Sequence, residues 1–218
     1  MGKIQVLDKE QKIILDEVKK SEFLSTNFYF TGGTALSAFY LQHRYSDDLD
    51  FFSRQKLDKQ VIFTVIQELS RLHGFTFKSR FVDVVYIFTL IFNNKTELKL
   101  DFAYYPYKQI KNPNELNGIK TDSLIDIAVN KLLIITQRTT VKDFVDLYYL
   151  LQQFSIWDLK EGVRIKFNME IEPLLLASDL LKVEDFDYLP RMIKPLKIDT
   201  LKLYFRQKAQ EIGKKSLK

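Results

Sequence analysis

The chain has 218 residues, 46% of them hydrophobic and 14% aromatic, with only 7 Gly and 5 Pro. That composition supplies one sizeable core, divided into two lobes at most, and excludes disordered, collagen-like and low-complexity chains. The net charge is +5 and cysteine is absent, which removes disulfides, thiol nucleophiles and zinc–thiolate sites and fits a reducing cytoplasm.

Residues 8–24 set Ile13, Ile14, Leu15, Val18 and Phe23 among charges at rough helical spacing. Asn27 opens the short strand Phe28-Tyr29-Phe30-Thr31, which Gly32-Gly33 breaks. Thr34 to Leu41 reads as a short helix, and after a polar turn at 43–47 comes a second strand, Leu49-Asp50-Phe51-Phe52. A helix from Asp58 to His73 stops at Gly74. Three β-type runs follow as a meander: 75–81, 84–92 and 97–105. Pro106, Pro113 and Asn117-Gly118 then mark an irregular stretch with no further strong strand. Helices are predicted at 122–137, 141–153, 156–168, 173–182 and 199–212. The expected fold class is α/β (α+β), a mixed sheet flanked by helices over 1–120 followed by a helical lobe over 121–218. No low-complexity tether separates the two, so they are expected to pack together with a cleft between them.

The longest apolar run, Val84 to Phe92, is too short for a bilayer, and acidic Asp8 and Glu10 argue against a signal peptide. A soluble, cytoplasmic protein with no membrane partner is expected. From Arg191 to Lys218 nine Lys or Arg face only Asp199 and Glu211, a balance of +7 that leaves −2 on the other 190 residues. A pI near 9.1 is therefore a property of the C-terminal segment, which reads either as a solvated helix with a basic tail or as a polyanion contact.

Chemistry concentrates in two stretches. In Phe30-Thr31-Gly32-Gly33-Thr34 a strand ends in two glycines and enters a helix, which exposes backbone N–H groups where a phosphate can approach without a Cβ in its way. In Asp48-Leu49-Asp50 the period of two sends both carboxylates to one face, where they repel unless a cation lies between them. Asp101 shares a face with Lys99 on the strand Glu97-Leu98-Lys99-Leu100-Asp101-Phe102, opposite Leu98, Leu100 and Phe102. Singly, each has an ordinary reading: Gly-Gly as a turn, Asp48 and Asp50 as the wet side of an edge strand, Asp101 as a surface residue. Jointly they are the parts, in order, of a two-metal phosphoryl-transfer site, one Mg²⁺ activating a hydroxyl and the other holding a triphosphate.

The strings Phe30-Thr31-Gly32-Gly33-Thr34-Ala35-Leu36 and His43-Arg44-Tyr45-Ser46-Asp47-Asp48-Leu49-Asp50-Phe51-Phe52 resemble the AbiEii/AbiGii toxin family, a branch of the DNA polymerase β-like nucleotidyltransferases. Lys131-Leu132-Leu133, Arg138 and Lys142-Asp143-Phe144-Val145-Asp146-Leu147 are similar to that family's helical motifs, so the resemblance covers roughly 28–150. It implies that Gly32, Gly33 and Thr34 bind the triphosphate and that Asp48, Asp50 and Asp101 hold two Mg²⁺, with Mn²⁺ as the alternative. Asp48 is preferred to Asp47 because it shares a face with Asp50.

The resemblance also implies a lysine and an aspartate from the helical half. Lys131 and Arg138 are seven apart, two helical turns, and both are candidates for nucleotide phosphates; Lys131 also reads as a lysine snorkelling at the core rim. Asp143, favoured over Asp146, either orients Lys131 or satisfies helix N–H groups. His43 precedes the carboxylates but has no zinc-type companions, and Phe144, Tyr148, Tyr149, Phe154 and Trp157 read as core. Tyr104, Tyr105 and Tyr107 are the better candidates for stacking on a base.

The reaction implied is transfer of a nucleoside monophosphate from an NTP to an acceptor hydroxyl. The acceptor implied is RNA, tRNA included, and the setting a bacterial toxin–antitoxin or phage-defence pair with a cognate antitoxin. Two rivals stand beside it: an antibiotic-type transferase acting on a small molecule, and a non-catalytic nucleotide-binding module, which the retention of all three acids opposes.

Overall fold

The computed structural model describes residues 5–56 and 58–216; Lys218, counted in the basic segment, lies outside them. Two compact units divide the chain. The first takes residues up to Tyr40, Ser46–Lys108 and Asn112–Ser123; the second takes Leu41–Tyr45, Gln109–Lys111 and everything from Leu124 onward.

The first unit opens with α1 (Lys9–Lys20), started by a capping box in which Asp8 accepts from the Gln11 N–H at 2.7 Å and Gln11 accepts from the Asp8 N–H at 3.1 Å. Ser21 caps α2 (Glu22–Asn27), and β1 (Tyr29–Thr31) follows. The helix expected from Thr34 begins at Gly32 as α3 (Gly32–Ala35) and widens into a π-turn over Leu36–Leu41. Next come β2 (Leu49–Ser53), α4 (Lys59–His73), β3 (Thr76–Val82), β4 (Val85–Ile91) and β5 (Glu97–Tyr104). Asp58 caps α4 at one end, and Gly74, with φ of 68°, closes it at the other.

The stretch expected to be irregular holds a hairpin instead: β6 (Asn114–Leu116) and β7 (Ile119–Thr121), antiparallel, with Leu116 opposite Ile119. Asn117 and Gly118 carry φ of 53° and 75°, the left-handed pair that a two-residue type I′ turn requires. Strands three residues long carry too little alternation to register as a pattern, although the Asn-Gly turn itself is a strong hairpin signal. Among the described residues the sheet order is β3-β4-β5-β2-β1-β7-β6. It is a mixed sheet: β2 pairs antiparallel with β1 and parallel with β5, while β7 joins β1 in parallel.

That order makes β2 and β5 central, so their apolar residues need full cover on one face. Leu49, Phe51, Leu100 and Phe102 are buried there, with the Phe51 ring stacked on Phe102 at 5.6 Å and Phe30 5.2 Å from Phe51. Each such buried ring contributes on the order of 1.5–3 kcal/mol. The same alternation turns Asp50 and Asp101 to the opposite face.

The second unit is helical: α5 (Leu124–Gln137), α6 (Val141–Leu150), α7 (Ile156–Phe167), α8 (Pro173–Leu181) and α9 (Ile198–Ser216). Phe144 anchors its core, with Phe186 and Phe205 meeting it edge-on at 5.3 and 5.2 Å. A Cβ on Gly162 would lie 2.4 Å from Val129 Cγ2, so α7 packs against α5 where only glycine fits. No helix among the described residues is long and apolar enough to cross a membrane.

Candidate active site

The acidic cluster of the first unit is built by strand register. Asp50 stands opposite Asp101 in the parallel β2–β5 pair, and Thr31, the last residue of β1, stands opposite Asp50 from the other side. The glycine that ends β1 is therefore brought to Asp50. Gly32 has φ of 75°, and a Cβ built on it would fall 2.1 Å from Asp50 Oδ2, so the carboxylate occupies the space a side chain would fill. The Thr34 hydroxyl donates to the Asp48 carbonyl and fixes the approach to β2. Thus Asp50, near the start of β2, has Asp101 across one edge of the strand and Gly32 across the other, with Asp48 and Thr34 joined at the approach to the strand.

Lys99 joins them, two residues from Asp101 on the same face. Its Nζ donates to Asp101 Oδ2 at 2.5 Å. Asp101 is only 8% exposed, and its Oδ1 is buried without a hydrogen-bond partner. Burial pushes the Asp101 carboxyl up, Lys99 draws it down, and the neighbouring Asp48 charge adds to the rise. For Lys99 burial works against the charged form, yet the bond to Asp101 and the charges of Asp48 and Asp50 leave its ammonium raised.

Hard oxygen donors with one buried oxygen lacking a partner suit Mg²⁺ or Mn²⁺ by donor chemistry. Among the described residues, no three carboxylate or imidazole side chains already stand in the arrangement of a metal site. A positive charge already stands at this cluster: the Lys99 ammonium on Asp101 Oδ2.

The second unit carries a buried charge cluster centred on Asp146, which is 0% exposed. Its Oδ1 is 2.7 Å from both His43 Nε2 and Arg44 Nε, and its Oδ2 accepts from Arg44 Nη2 at 2.8 Å and lies 2.7 Å from Lys131 Nζ. Lys131, 5% exposed, also donates to Asp143 Oδ1 at 2.7 Å. Asp143 Oδ2 accepts from Arg138 Nε at 2.8 Å and from the Thr140 hydroxyl at 2.5 Å. Burial would raise the Asp143 pKa, but Lys131, Arg138 and Thr140 outweigh it and hold the group at about 2. Asp146 is likewise held well below the carboxylate range, against burial, by Lys131 and Arg44.

Burial pushes His43 down despite Asp146, so the ring is neutral near pH 7, and its Nδ1 is buried without a hydrogen-bond partner. The segment around it is pinned within this unit: Ile193 and Lys194 N–H donate to the His43 carbonyl at 2.9 and 3.0 Å, and Tyr45 N–H donates to the Arg191 carbonyl at 2.8 Å.

Lys131, Arg138 and Asp143, expected from the sequence, lie together in this cluster, and Asp146 contacts His43, Arg44 and Lys131 within it. Arg44 went unremarked as its partner; no spacing rule joins residues 102 positions apart. Of the three tyrosines, Tyr105 lies between Phe52 at 4.6 Å and Tyr107 at 4.9 Å, and Tyr107 is the exposed member.

The family model described as "Nucleotidyl transferase AbiEii toxin, Type IV TA system" matches residues 13–210. The Aquifex aeolicus (strain VF5) protein aq_aa25 is 36% identical over 185 residues, covering 82% of this chain and 84% of that protein. Among solved structures, MenT4, nucleotidyltransferase toxin Rv2826c from Mycobacterium tuberculosis H37Rv, is similar with a TM-score of 0.60 and 17% identity, covering 94% of this chain and 82% of that one. JHP933 from Helicobacter pylori is similar with a TM-score of 0.57 and 22% identity, covering 94% and 89%. At those identities the two structures speak for the fold alone.

Proposed function

The chain belongs to the AbiEii family of nucleotidyltransferase toxins, and from that premise we propose that it moves a nucleoside monophosphate from an NTP to a hydroxyl of RNA, tRNA included. The observation that carries this reading is Asp50 in register with Asp101 while its carboxylate fills the space above Gly32. Asp48, Asp50 and Asp101 would hold divalent cations, Mg²⁺ with Mn²⁺ as the substitute, which when bound lower the acceptor hydroxyl's pKa and neutralise triphosphate charge.

The chain's own residues do the rest by positioning. Gly32, Gly33 and Thr34 offer helix-first N–H groups, which by position lack an intrahelical acceptor, to the leaving phosphates. The Thr34 hydroxyl is already committed to the Asp48 carbonyl, so Thr34 contributes its N–H to phosphate and its side chain to the posture of Asp48. Arg138, its side chain 59% exposed, presents a guanidinium suited to phosphate oxygens; Asp143 orients it, and Lys131 supports that carboxylate. Membership of a type IV toxin–antitoxin family supports a cognate antitoxin as the partner, and the proposed setting includes phage defence.

The test is transfer of label from each of the four α-labelled NTPs, with Mg²⁺, to total RNA. Wild type should label an RNA fraction, while Asp50→Asn should not, with its melting temperature retained. Equal labelling by both proteins would overturn the assignment, and label entering only small molecules would move the acceptor to that class.

A further inference from the structure

Lys99 has no part in the reaction as derived above, yet it makes the shortest ion pair of the acidic cluster. Its Nζ lies 2.5 Å from Asp101 Oδ2, and the charges of Asp48 and Asp50 act on it as well. The ammonium thus bonds one carboxylate and feels the charge of two more. The geometry of strand β5 permits this contact, because residues two apart on one face of a strand are neighbours, and a lysine is long enough to fold back onto the acid. The Lys99 side chain is 38% exposed against 11% for Asp101. One partner is therefore fixed in the sheet and the other is tethered on a flexible stem with water at hand.

We propose that Lys99 is an internal counter-ion of the carboxylate cluster, competing with a divalent cation for Asp101 Oδ2. The inference rests on the metal-binding reading of Asp48, Asp50 and Asp101. Three carboxylates held together without any cation repel one another, and Asp101, nearly enclosed, has the least water to screen it. The ammonium relieves that repulsion when no metal is bound. Only Oδ2 is answered in this way; the buried Oδ1 has no hydrogen-bond partner, so the carboxylate is half satisfied. Binding a divalent ion at Oδ2 requires the ammonium to swing out, and the exposed stem permits that. Lys99 thereby lowers metal affinity while keeping the metal-free cluster compact. Arg80, whose charge also acts on Asp101, is a weaker contributor of the same sign.

The experiment is Mn²⁺ binding without nucleotide, read by the loss of free-ion electron paramagnetic resonance signal, for the full-length wild type, Lys99→Met, Lys99→Arg and Asp50→Asn. Melting temperatures in EDTA are measured in parallel. Lys99→Met should bind Mn²⁺ about tenfold tighter than wild type, the screened effect of removing one nearby charge. It should also melt earlier in EDTA and regain the difference with Mn²⁺, while Lys99→Arg stays near wild type in both. Unchanged or weaker Mn²⁺ binding by Lys99→Met, with wild type binding the ion, would overturn the counter-ion role and leave the metal reading standing. No binding by wild type, Lys99→Met or Lys99→Arg would overturn the metal reading itself, and this inference with it. Should Lys99→Met fail to fold, Lys99→Gln in the same titration decides.

Discussion

Arg44 grips Asp146 with two prongs, Nε to Oδ1 at 2.7 Å and Nη2 to Oδ2 at 2.8 Å, and both side chains are shut off from water. An ion pair so enclosed is costly to break from one side, because the partner left behind stays buried and charged. Asp146→Ala should therefore destabilise the protein by about 3–5 kcal/mol, since buried Arg44 loses its carboxylate and Lys131 is left with Asp143 alone. Urea denaturation checks this; a loss below about 1 kcal/mol, the level of a surface pair, would contradict it.

The same cluster sets an acid limit. Asp143 is held at about 2 against an ordinary 3.8, so the unfolded chain takes up protons before the folded one does. Its contribution is complete above pH 3.8 and disappears as pH falls from there towards 2, with Asp146 acting in the same direction. By linkage Asp143 alone accounts for roughly 2.5 kcal/mol. His43, pushed below its ordinary 6.5 by burial, adds a smaller loss that begins as pH drops below 6.5. Urea midpoints at pH 7, 5 and 3 should fall steadily, and Asp143→Asn should flatten the lowest part of the curve.

Lys131 and Arg138 hold the same carboxylate yet should fail differently when removed. Lys131→Met takes a buried ammonium from between Asp143 and Asp146, and its melting temperature should drop sharply. Arg138→Ala removes an exposed side chain, costs at most about 1 kcal/mol of stability, and should instead raise the KM for NTP. Equal thermal losses in the two variants would refute the distinction.

Gly32 and Gly74 separate strain from obstruction. Both have positive φ, 75° and 68°, so alanine is strained at either, at about 1–2 kcal/mol. At Gly74 the new Cβ has room, its nearest neighbour being 3.5 Å away, whereas at Gly32 it collides with Asp50. Gly74→Ala should lower the melting temperature and keep transferase activity; Gly32→Ala should abolish activity. Similar activities in the two would show that the Asp50 carboxylate need not lie where it does.

Local chemistry made much of this protein readable in advance. Gly32-Gly33 announced a backbone that leaves the ordinary φ range, and alternation along Leu49–Phe52 and Leu98–Phe102 announced which faces would be apolar. The same alternation put Lys99 beside Asp101, though not their bond. What stayed hidden depends on contacts between distant segments. The parallel pairing of β2 with β5, which sets Asp50 opposite Asp101, has no local signature, and neither does the burial of Arg44 against Asp146. The β6–β7 hairpin is hidden for another reason: its strands are so short that the pairing of β7 with β1 and of β6 with β7, rather than their own pattern, holds them in the sheet.

The interleaving of the two units has a consequence for any attempt to take the protein apart. The backbone passes from one to the other after Tyr40, Tyr45, Lys108, Lys111 and Ser123. A polypeptide ending at Ser123 would carry Arg44 without Asp146, and its complement would carry Asp126 without the Ile110 and Lys111 amides that donate to it. Neither half inherits a finished core, so the protein is a poor candidate for splitting into complementing fragments or for exchange of modules between homologues.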